Sequence, residues 1–154
     1  MKRVIASALL AASAVLVVAM NASAGHDESH HAGRTVAVVE HATTDAVTNG
    51  TAGDDAGNIL TFANDVFNAA DTRKVGSDQG SCTRIVVGQS WECTWTTFLP
   101  SGQITVEGPF YDAGDSVLAV TGGTGAYRNA RGEMELKYRN PAGTEFDFVF
   151  HLIG

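Results

Sequence analysis

The chain has 154 residues and is acidic, with 17 Asp and Glu residues, 10 Lys and Arg residues and a formal net charge of −7. A surface of this charge repels phosphate backbones and anionic lipid headgroups, so the composition argues against nucleic acid or a membrane surface as a partner. The length suits a single compact domain.

Residues 1–24 are predicted to be a secretory signal peptide. Lys2 and Arg3 form a basic start, an apolar run rich in Ala, Leu and Val covers residues 4–20, and Ala22-Ser23-Ala24 has the small-x-small pattern of a cleavage site. The alternative is a membrane anchor, but the apolar run is barely long enough to span a bilayer. We therefore expect an extracellular protein that has no membrane contact after cleavage.

Residues 25–33 are predicted to be a flexible leader, because they are polar and have no hydrophobic period. They contain His26, His30 and His31 beside two carboxylates, and such side chains could bind zinc, copper or nickel. A segment without a scaffold does not fix the geometry of a metal site, however. The sequence therefore predicts no metal site and no cofactor.

Residues 34–154 have the pattern of short strands joined by turns and are predicted to form one domain. Apolar and charged residues alternate most regularly near the C-terminus, where Met134, Leu136 and Tyr138 fall on one face of a strand. About eight such strands in a chain of this size predict an all-β barrel or sandwich, and composition does not choose between them. The predicted strands cover residues 35–42, 59–67, 82–87, 91–99, 103–108, 116–121, 132–139 and 144–152.

The only two cysteines, Cys82 and Cys93, flank a predicted hairpin turn at residues 88–90. Because an exported chain folds in an oxidising compartment, this pair is interpreted first as a disulfide. The alternative is two free thiols in a ligand pocket.

The glycine-rich run from Thr121 to Tyr127 does not match a phosphate-binding loop, since no Lys-Ser or Lys-Thr follows its last glycine and its flanks are predicted strands. It is predicted to be a tight corner between two strands.

The chain resembles plant allene oxide cyclases and, more loosely, dirigent proteins. The segments GNILTFANDVF, KVGSDQGSC and WECTWTTFLPSGQITVEGPFYDAGDSVLAVTGGTGAY carry this resemblance in that order, and Ala130-Arg131-Gly132 is similar to the dirigent form. Both families hold a small apolar molecule in a β-barrel while it cyclises or couples. The resemblance therefore implies an eight-stranded antiparallel β-barrel of the calycin type, and a homotrimer.

The resemblance also implies candidate catalytic residues. Asn64 matches the asparagine that holds a water in the cyclases, and Glu40 matches the nearby glutamate that stabilises positive charge as an epoxide opens. The proline of that family's first loop has no equivalent in the chain between His41 and Gly57. In dirigent proteins, Asp65 would be the acid and Arg131 the motif arginine, although each could instead face solvent. Since neighbours in a strand point to opposite sides, we expect Asn64 to face inward.

The expected pocket residues are the positions that match the cyclase pocket. Phe110 stands where that family has a tyrosine, and pairing of Cys82 with Cys93 would change the pocket wall. Interior candidates are Trp91, Trp95, Phe62, Phe110, Phe146, Phe148 and Phe150, and the predicted ligand contacts are Leu60, Phe62, Trp91 and Phe110.

The resemblance and the candidate pocket residues are compatible with two functions. The first is an intramolecular cyclase or isomerase that binds a small apolar ligand, and the alternative is a secreted binding or guiding module without chemistry. Buried polar groups that converge at one end of the lumen would favour the enzyme.

Overall fold

The computed structural model describes residues 33–50 and 52–153. The predicted signal peptide and nearly all of the predicted leader lie outside these residues. Within the described ranges, no helix is long and apolar enough to cross a membrane.

The described part of the chain is almost entirely β-structure, with a single short 3-10 turn at Gly125–Tyr127. The strands are β1 (Arg34–His41), β2 (Ala46–Asn49), β3 (Ile59–Phe62), β4 (Asp65–Asn68), β5 (Lys74–Val86), β6 (Ser90–Leu99), β7 (Gly102–Tyr111), β8 (Ser116–Gly123), β9 (Arg131–Tyr138) and β10 (Glu145–Ile153).

All strand pairs are antiparallel, and the order β2-β3-β5-β4-β1-β10-β9-β8-β7-β6 is closed by pairing of β5 with β6. Strand β1 pairs with β4 and β2 pairs with β3, so these four segments form one long hairpin that is interrupted in the middle of both arms. If β1 and β2 are counted as one interrupted strand and β3 and β4 as another, the barrel has eight strands. The predicted eight-stranded antiparallel barrel is confirmed, and the sandwich alternative is excluded by the closure.

The structure differs from the predicted strands in this first hairpin. The predicted strand over residues 59–67 breaks at Ala63 and Asn64, and the opposite arm breaks over residues 42–45. Strand β5 begins at Lys74, well before the predicted residue 82, because it pairs with β4 as well as β3. The first half of β5 is polar and glycine-rich, so hydrophobic alternation gives no signal for it.

Inward side chains fill much of the barrel, as expected for eight strands. On β10 every second residue is buried, which confirms the period-two pattern of the C-terminal strand. Gly80 on β5 faces Trp95 on β6, and a Cβ at Gly80 would lie 2.3 Å from the Trp95 Cβ. A side chain at this position would also meet the backbone of Thr94 and Trp95, so β5 and β6 would have to move apart. The fully buried apolar residues include Val39, Val66, Ile104, Val106, Leu118, Met134, Phe148 and Phe150.

The predicted corner after β8 is formed by the 3-10 turn. Gly125 has φ of +60°, and a Cβ there would approach the Ser101 carbonyl oxygen to 2.5 Å, so a larger residue would meet both backbone strain and a clash.

The predicted Cys82–Cys93 disulfide is confirmed. The two residues are directly opposite each other on β5 and β6, with a Cα–Cα distance of 4.0 Å. The bond lies inside the barrel, since both residues are buried.

We expect reduction of this disulfide to lower the free energy of unfolding by roughly 2–3 kcal/mol, because it frees a short loop in the unfolded chain. Guanidinium denaturation of the purified protein with and without a reductant measures the change. The double variant Cys82→Ala/Cys93→Ala is the control and should not respond to reductant. Equal stability of the oxidised and reduced wild-type protein would contradict the prediction.

Candidate functional site

A polar cluster fills the interruption of the first hairpin, and Asn64 is at its centre. Asn64 lies between β3 and β4, and its backbone exchanges hydrogen bonds of 3.1 and 2.9 Å with Asp78 on β5. The sheet therefore remains hydrogen-bonded across the break. The Asn64 side chain is buried at this break.

The Asn64 side chain holds the opposite arm of the hairpin. Its Oδ1 accepts hydrogen bonds of 3.0 Å from the backbone N–H groups of Thr43 and Thr44. Its Nδ2 donates to Glu40 Oε1 at 2.9 Å and to Asp45 Oδ1 at 2.7 Å. Both amide hydrogens are thus engaged with carboxyl groups, and none is left for a bound water.

Two buried carboxyl groups lie beside Asn64. Glu40 on β1 is 5% exposed and Asp78 on β5 is 1% exposed, and the two carboxyl groups are close enough to shift each other's pKa. A hydrogen bond between two carboxyl groups requires one proton to be shared. Asp78 Oδ1 accepts a hydrogen bond of 3.3 Å from the Asn64 backbone N–H, whereas Oδ2 has no hydrogen-bond partner in the described part of the chain and is free to accept such a proton from Glu40.

The electrostatics of this pair favour its protonated form. Burial raises the pKa of Glu40 well above its ordinary value, the charge of Asp78 raises it further, and the hydrogen bond from Asn64 opposes the shift. Burial also raises the pKa of Asp78 to about 7, against the hydrogen bonds from the Asn64 backbone and from Glu40. The pair therefore retains at least one proton near neutral pH.

Glu40 and Asp45 form the polar end of a cavity of about 40 Å³ in the barrel lumen. This volume accommodates a few water-sized groups, so a larger ligand enters only if side chains move. The wall residues that can move most easily are those that are only partly buried, which are Leu60, Phe62 and Phe110. The rest of the wall is apolar, and the lining residues are Leu60, Phe62, Cys82, Cys93, Trp95, Phe110, Leu136, Phe146 and Phe148.

The structure brings several of the predicted site residues together. Glu40, Leu60, Phe62 and Phe110 line the cavity, and Asn64 is joined to it through Glu40. Sequence reasoning missed Asp45 and Asp78. The period of two that places Cys82 inside the barrel also places Asp78, four residues earlier, on the same face, and this signal could have found it.

Trp91 is buried but is not among the cavity-lining residues. The Arg84 guanidinium carbon lies 3.9 Å from the centroid of the Trp91 ring, and Trp91 Nε1 donates to Asp112 at 3.1 Å. Arg84 also pairs with Asp54 and Asp112. Trp95, four residues and thus two strand periods further along β6, is the tryptophan that lines the cavity.

Asp65 and Arg131 lie away from the cavity walls. Asp65 is half-exposed and pairs with Lys74, with 2.5 Å between Oδ1 and Nζ. Arg131 is exposed, and its Nη1 donates to the Ala130 carbonyl oxygen at 2.7 Å.

One group of potential metal ligands occurs in the described ranges, on partly buried residues beside β1. His41, Asp71 and Glu145 each offer one ligand atom, and these atoms lie within 4.8 Å of one another. His41 Nε2 is 2.9 Å from Asp71 Oδ1, and Arg139 Nε is 4.0 Å from Glu145 Oε2. Because these internal contacts already serve the three groups, we assign no ion to them.

Comparison with known proteins identifies the family. The model of the allene oxide cyclase barrel like domain matches residues 35–150. The chain belongs to this family.

Solved structures share the fold of this allene oxide cyclase-like barrel. Pyocyanin demethylase is 23% identical over 76% of this chain and 100% of its own, with a TM-score of 0.63. An exo-specific intermolecular Diels-Alderase is 17% identical over 79% of this chain and 98% of its own, with a TM-score of 0.64. A pterocarpan synthase dirigent protein is 19% identical over 79% of this chain and 89% of its own, with a TM-score of 0.66. At these identities the likeness establishes the fold.

We expect the buried pair to give this allene oxide cyclase-like barrel a distinctive pH dependence. Burial raises the pKa of Asp78 from its ordinary value of 3.8 to about 7, so the folded state binds more protons than the unfolded state between these values. The free energy of unfolding should therefore fall as pH rises from about 4 to about 7, by on the order of a few kcal/mol.

The variant Asp78→Asn isolates this contribution, because it removes one of the coupled charges while keeping the shape. Denaturation at several pH values should show a weaker fall with pH for Asp78→Asn than for the wild-type protein. Asp65→Asn, which alters a half-exposed carboxylate on the neighbouring strand, should change the profile much less, because the charge of Asp65 is the smallest of the named causes that raise the pKa of Asp78. Parallel profiles for the wild-type protein and Asp78→Asn would overturn the prediction.

Proposed function

We propose that the protein is a secreted barrel that binds a small apolar molecule in its lumen and guides its cyclisation or coupling as an intramolecular cyclase or isomerase. The observation that carries this proposal is the Glu40–Asp78 pair at the polar end of an aromatic cavity. Convergent buried polar groups in an apolar pocket are typical of a reactive site.

The pair can supply charge without exchanging a proton with water. Asn64 Nδ2 donates to Glu40 Oε1, which leaves the other oxygen of Glu40 to carry the shared proton toward Asp78. If positive charge develops on a ligand beside Glu40, the proton can move along the hydrogen bond to Asp78. Glu40 then carries the negative charge and faces the lumen. When the reaction ends, the proton returns to Glu40 and the negative charge to Asp78. Such a fixed charge in a dry site stabilises a cationic transition state more than water does.

The aromatic walls supply the positioning. Phe62 packs edge-on against Trp95 with ring centroids 6.0 Å apart, and Phe110 packs edge-on against Phe146 at 5.8 Å. Rings in such contacts can shift to admit a ligand while still excluding water. A flexible molecule held between them loses conformations that do not lead to ring closure, which is a major source of rate enhancement in unimolecular reactions.

The second candidate function is a binding or guiding module without turnover. The Cys82–Cys93 bond and the apolar Phe110 ring favour it, because both replace reactive or polar groups that the resemblance places in the pocket. The buried carboxyl pair favours the enzyme, since a purely apolar ligand site has no need of it.

Secretion and a homotrimer belong to the same proposal. The disulfide supports an oxidising compartment. The trimer rests on the family likeness. N-terminal sequencing of the exported protein tests the cleavage site, and light scattering tests the trimer.

We expect ligand binding in the lumen to depend on Phe62 and Phe110. Calorimetric titration with unsaturated fatty-acid derivatives, phenolics and polyketide-like compounds identifies a ligand. Phe62→Ala and Phe110→Ala should weaken its binding about tenfold or more through lost apolar contact. Tyr111→Ala, an exposed neighbour of Phe110, is the matched control. Trp95→Phe should affect binding more than Trp91→Phe, and the reverse order would put the ligand near the predicted Trp91 position.

We expect Glu40→Gln to separate binding from chemistry. It keeps the side-chain shape and removes the acid, so binding should persist while conversion of the bound compound falls by about 10²–10³-fold. Product analysis by chromatography measures this. Unchanged conversion by Glu40→Gln would exclude the pair from the reaction, and binding without conversion by the wild-type protein would favour the guiding module.

A further inference from the structure

We infer that the lumen selects its ligand by charge and accepts an organic cation, such as an amine or an N-alkylated heteroaromatic ring, in preference to a carboxylate. This inference rests on the proposed function, because it concerns the ligand of the same cavity. The inference concerns whether the ligand is cationic, neutral or anionic, and the fold does not determine this.

The first observation is the charge of the cavity wall. Glu40 and Asp45 line the cavity, and Asp78 lies directly behind Glu40. No Lys, Arg or His from the described residues is among the lining residues. A bound carboxylate would therefore lie near two or three acidic groups with no cation to offset them, in surroundings where charges interact more strongly than in water.

The second observation is that the nearby basic side chains are engaged elsewhere. Lys74 pairs with Asp65 at 2.5 Å on the half-exposed side of the hairpin. Arg84 lies over Trp91 and pairs with Asp112 at 2.7 Å. Turning one of them toward the lumen would break an existing ion pair, so neither Lys74 nor Arg84 is a ready counter-ion for the acidic end of the cavity.

The third observation is that the two lining carboxyl groups are held together. Asn64 donates one hydrogen of the same amide nitrogen to Glu40 and the other to Asp45. One amide donor thus holds the two acidic groups side by side, and the second oxygen of Asp45 is available to a ligand cation. A neutral ligand gains nothing from this arrangement.

The fourth observation is the aromatic wall. Aromatic rings attract cations through their negative faces, most strongly when both are removed from water. Aromatic cages are a recurring means of binding quaternary ammonium and N-methyl groups. The rings that line the cavity are Phe62, Trp95, Phe110, Phe146 and Phe148.

The experiment compares three bicyclic aromatic probes of similar size and different charge. The full-length, disulfide-bonded protein as secreted is titrated by calorimetry at pH 7.5 and low fixed ionic strength with N-methylquinolinium, quinoline and 1-naphthoate. We expect N-methylquinolinium to bind about tenfold more tightly than quinoline, and 1-naphthoate to bind more weakly than both.

Three variants locate the source of the preference. Asp45→Asn and Glu40→Gln should each reduce the preference for N-methylquinolinium over quinoline several-fold. Asp65→Asn is the matched control: it removes the same formal charge from the adjacent strand, outside the cavity, and should leave the preference unchanged. Asp45 is exposed, so its variant remains informative even if Glu40→Gln proves unstable.

Equal binding of the three probes, or a preference for 1-naphthoate, would overturn the charge inference while leaving a lumen that binds apolar molecules. An equal loss of preference in Asp65→Asn and Asp45→Asn would also overturn it, because the net charge of the protein would then be the cause. Absence of binding by all three probes would overturn both this inference and the proposed function.

Discussion

The hydrogen bonds of one buried amide support both the barrel wall and the candidate site. Asn64 accepts from two backbone N–H groups of the opposite arm and donates to two carboxyl groups, while its own backbone keeps β5 attached to the interrupted hairpin. Without it, the buried Glu40 would lose a hydrogen-bond donor, which is more costly in a buried setting than at the surface. The interruption of the hairpin is therefore an ordered, hydrogen-bonded part of the fold.

That interruption gives the lumen its polar end. A continuous hairpin would place alternating side chains against the interior in a regular pattern. The break lets the segment after β1 approach the lumen, so Asp45 lies beside Glu40 although the two are five residues apart. The disulfide, two leucines and the aromatic rings form the apolar remainder of the wall, and burial keeps the pKa of Glu40 and Asp78 raised.

The sequence predicted the barrel but only part of the site, for physical reasons. Period-two alternation in β9 and β10, together with the family resemblance, was enough for the eight-stranded fold, since each strand shows its buried face locally. The break at Asn64 was missed because it depends on hydrogen bonds to residues about 20 positions away in the chain. Asp45 lies in a polar segment that reads as a loop, and Asp78 lies in the glycine-rich half of β5, where no hydrophobic pattern marks the strand.

A buried pair of acids that shares one proton lowers the stability of a small barrel. Removing carboxyl groups from water destabilises the fold, and the hydrogen bond from Asn64 offsets only part of this cost. An apolar residue at Glu40 or Asp78 would pack the same space with less penalty, so retention of both acids is explained more readily by ligand chemistry than by stability. Their position also matters, because only Glu40 reaches the cavity wall while Asp78 stays behind it. One carboxyl group can then face a ligand while the other stores its proton, and this division of roles would be lost if either residue were replaced by a neutral isostere.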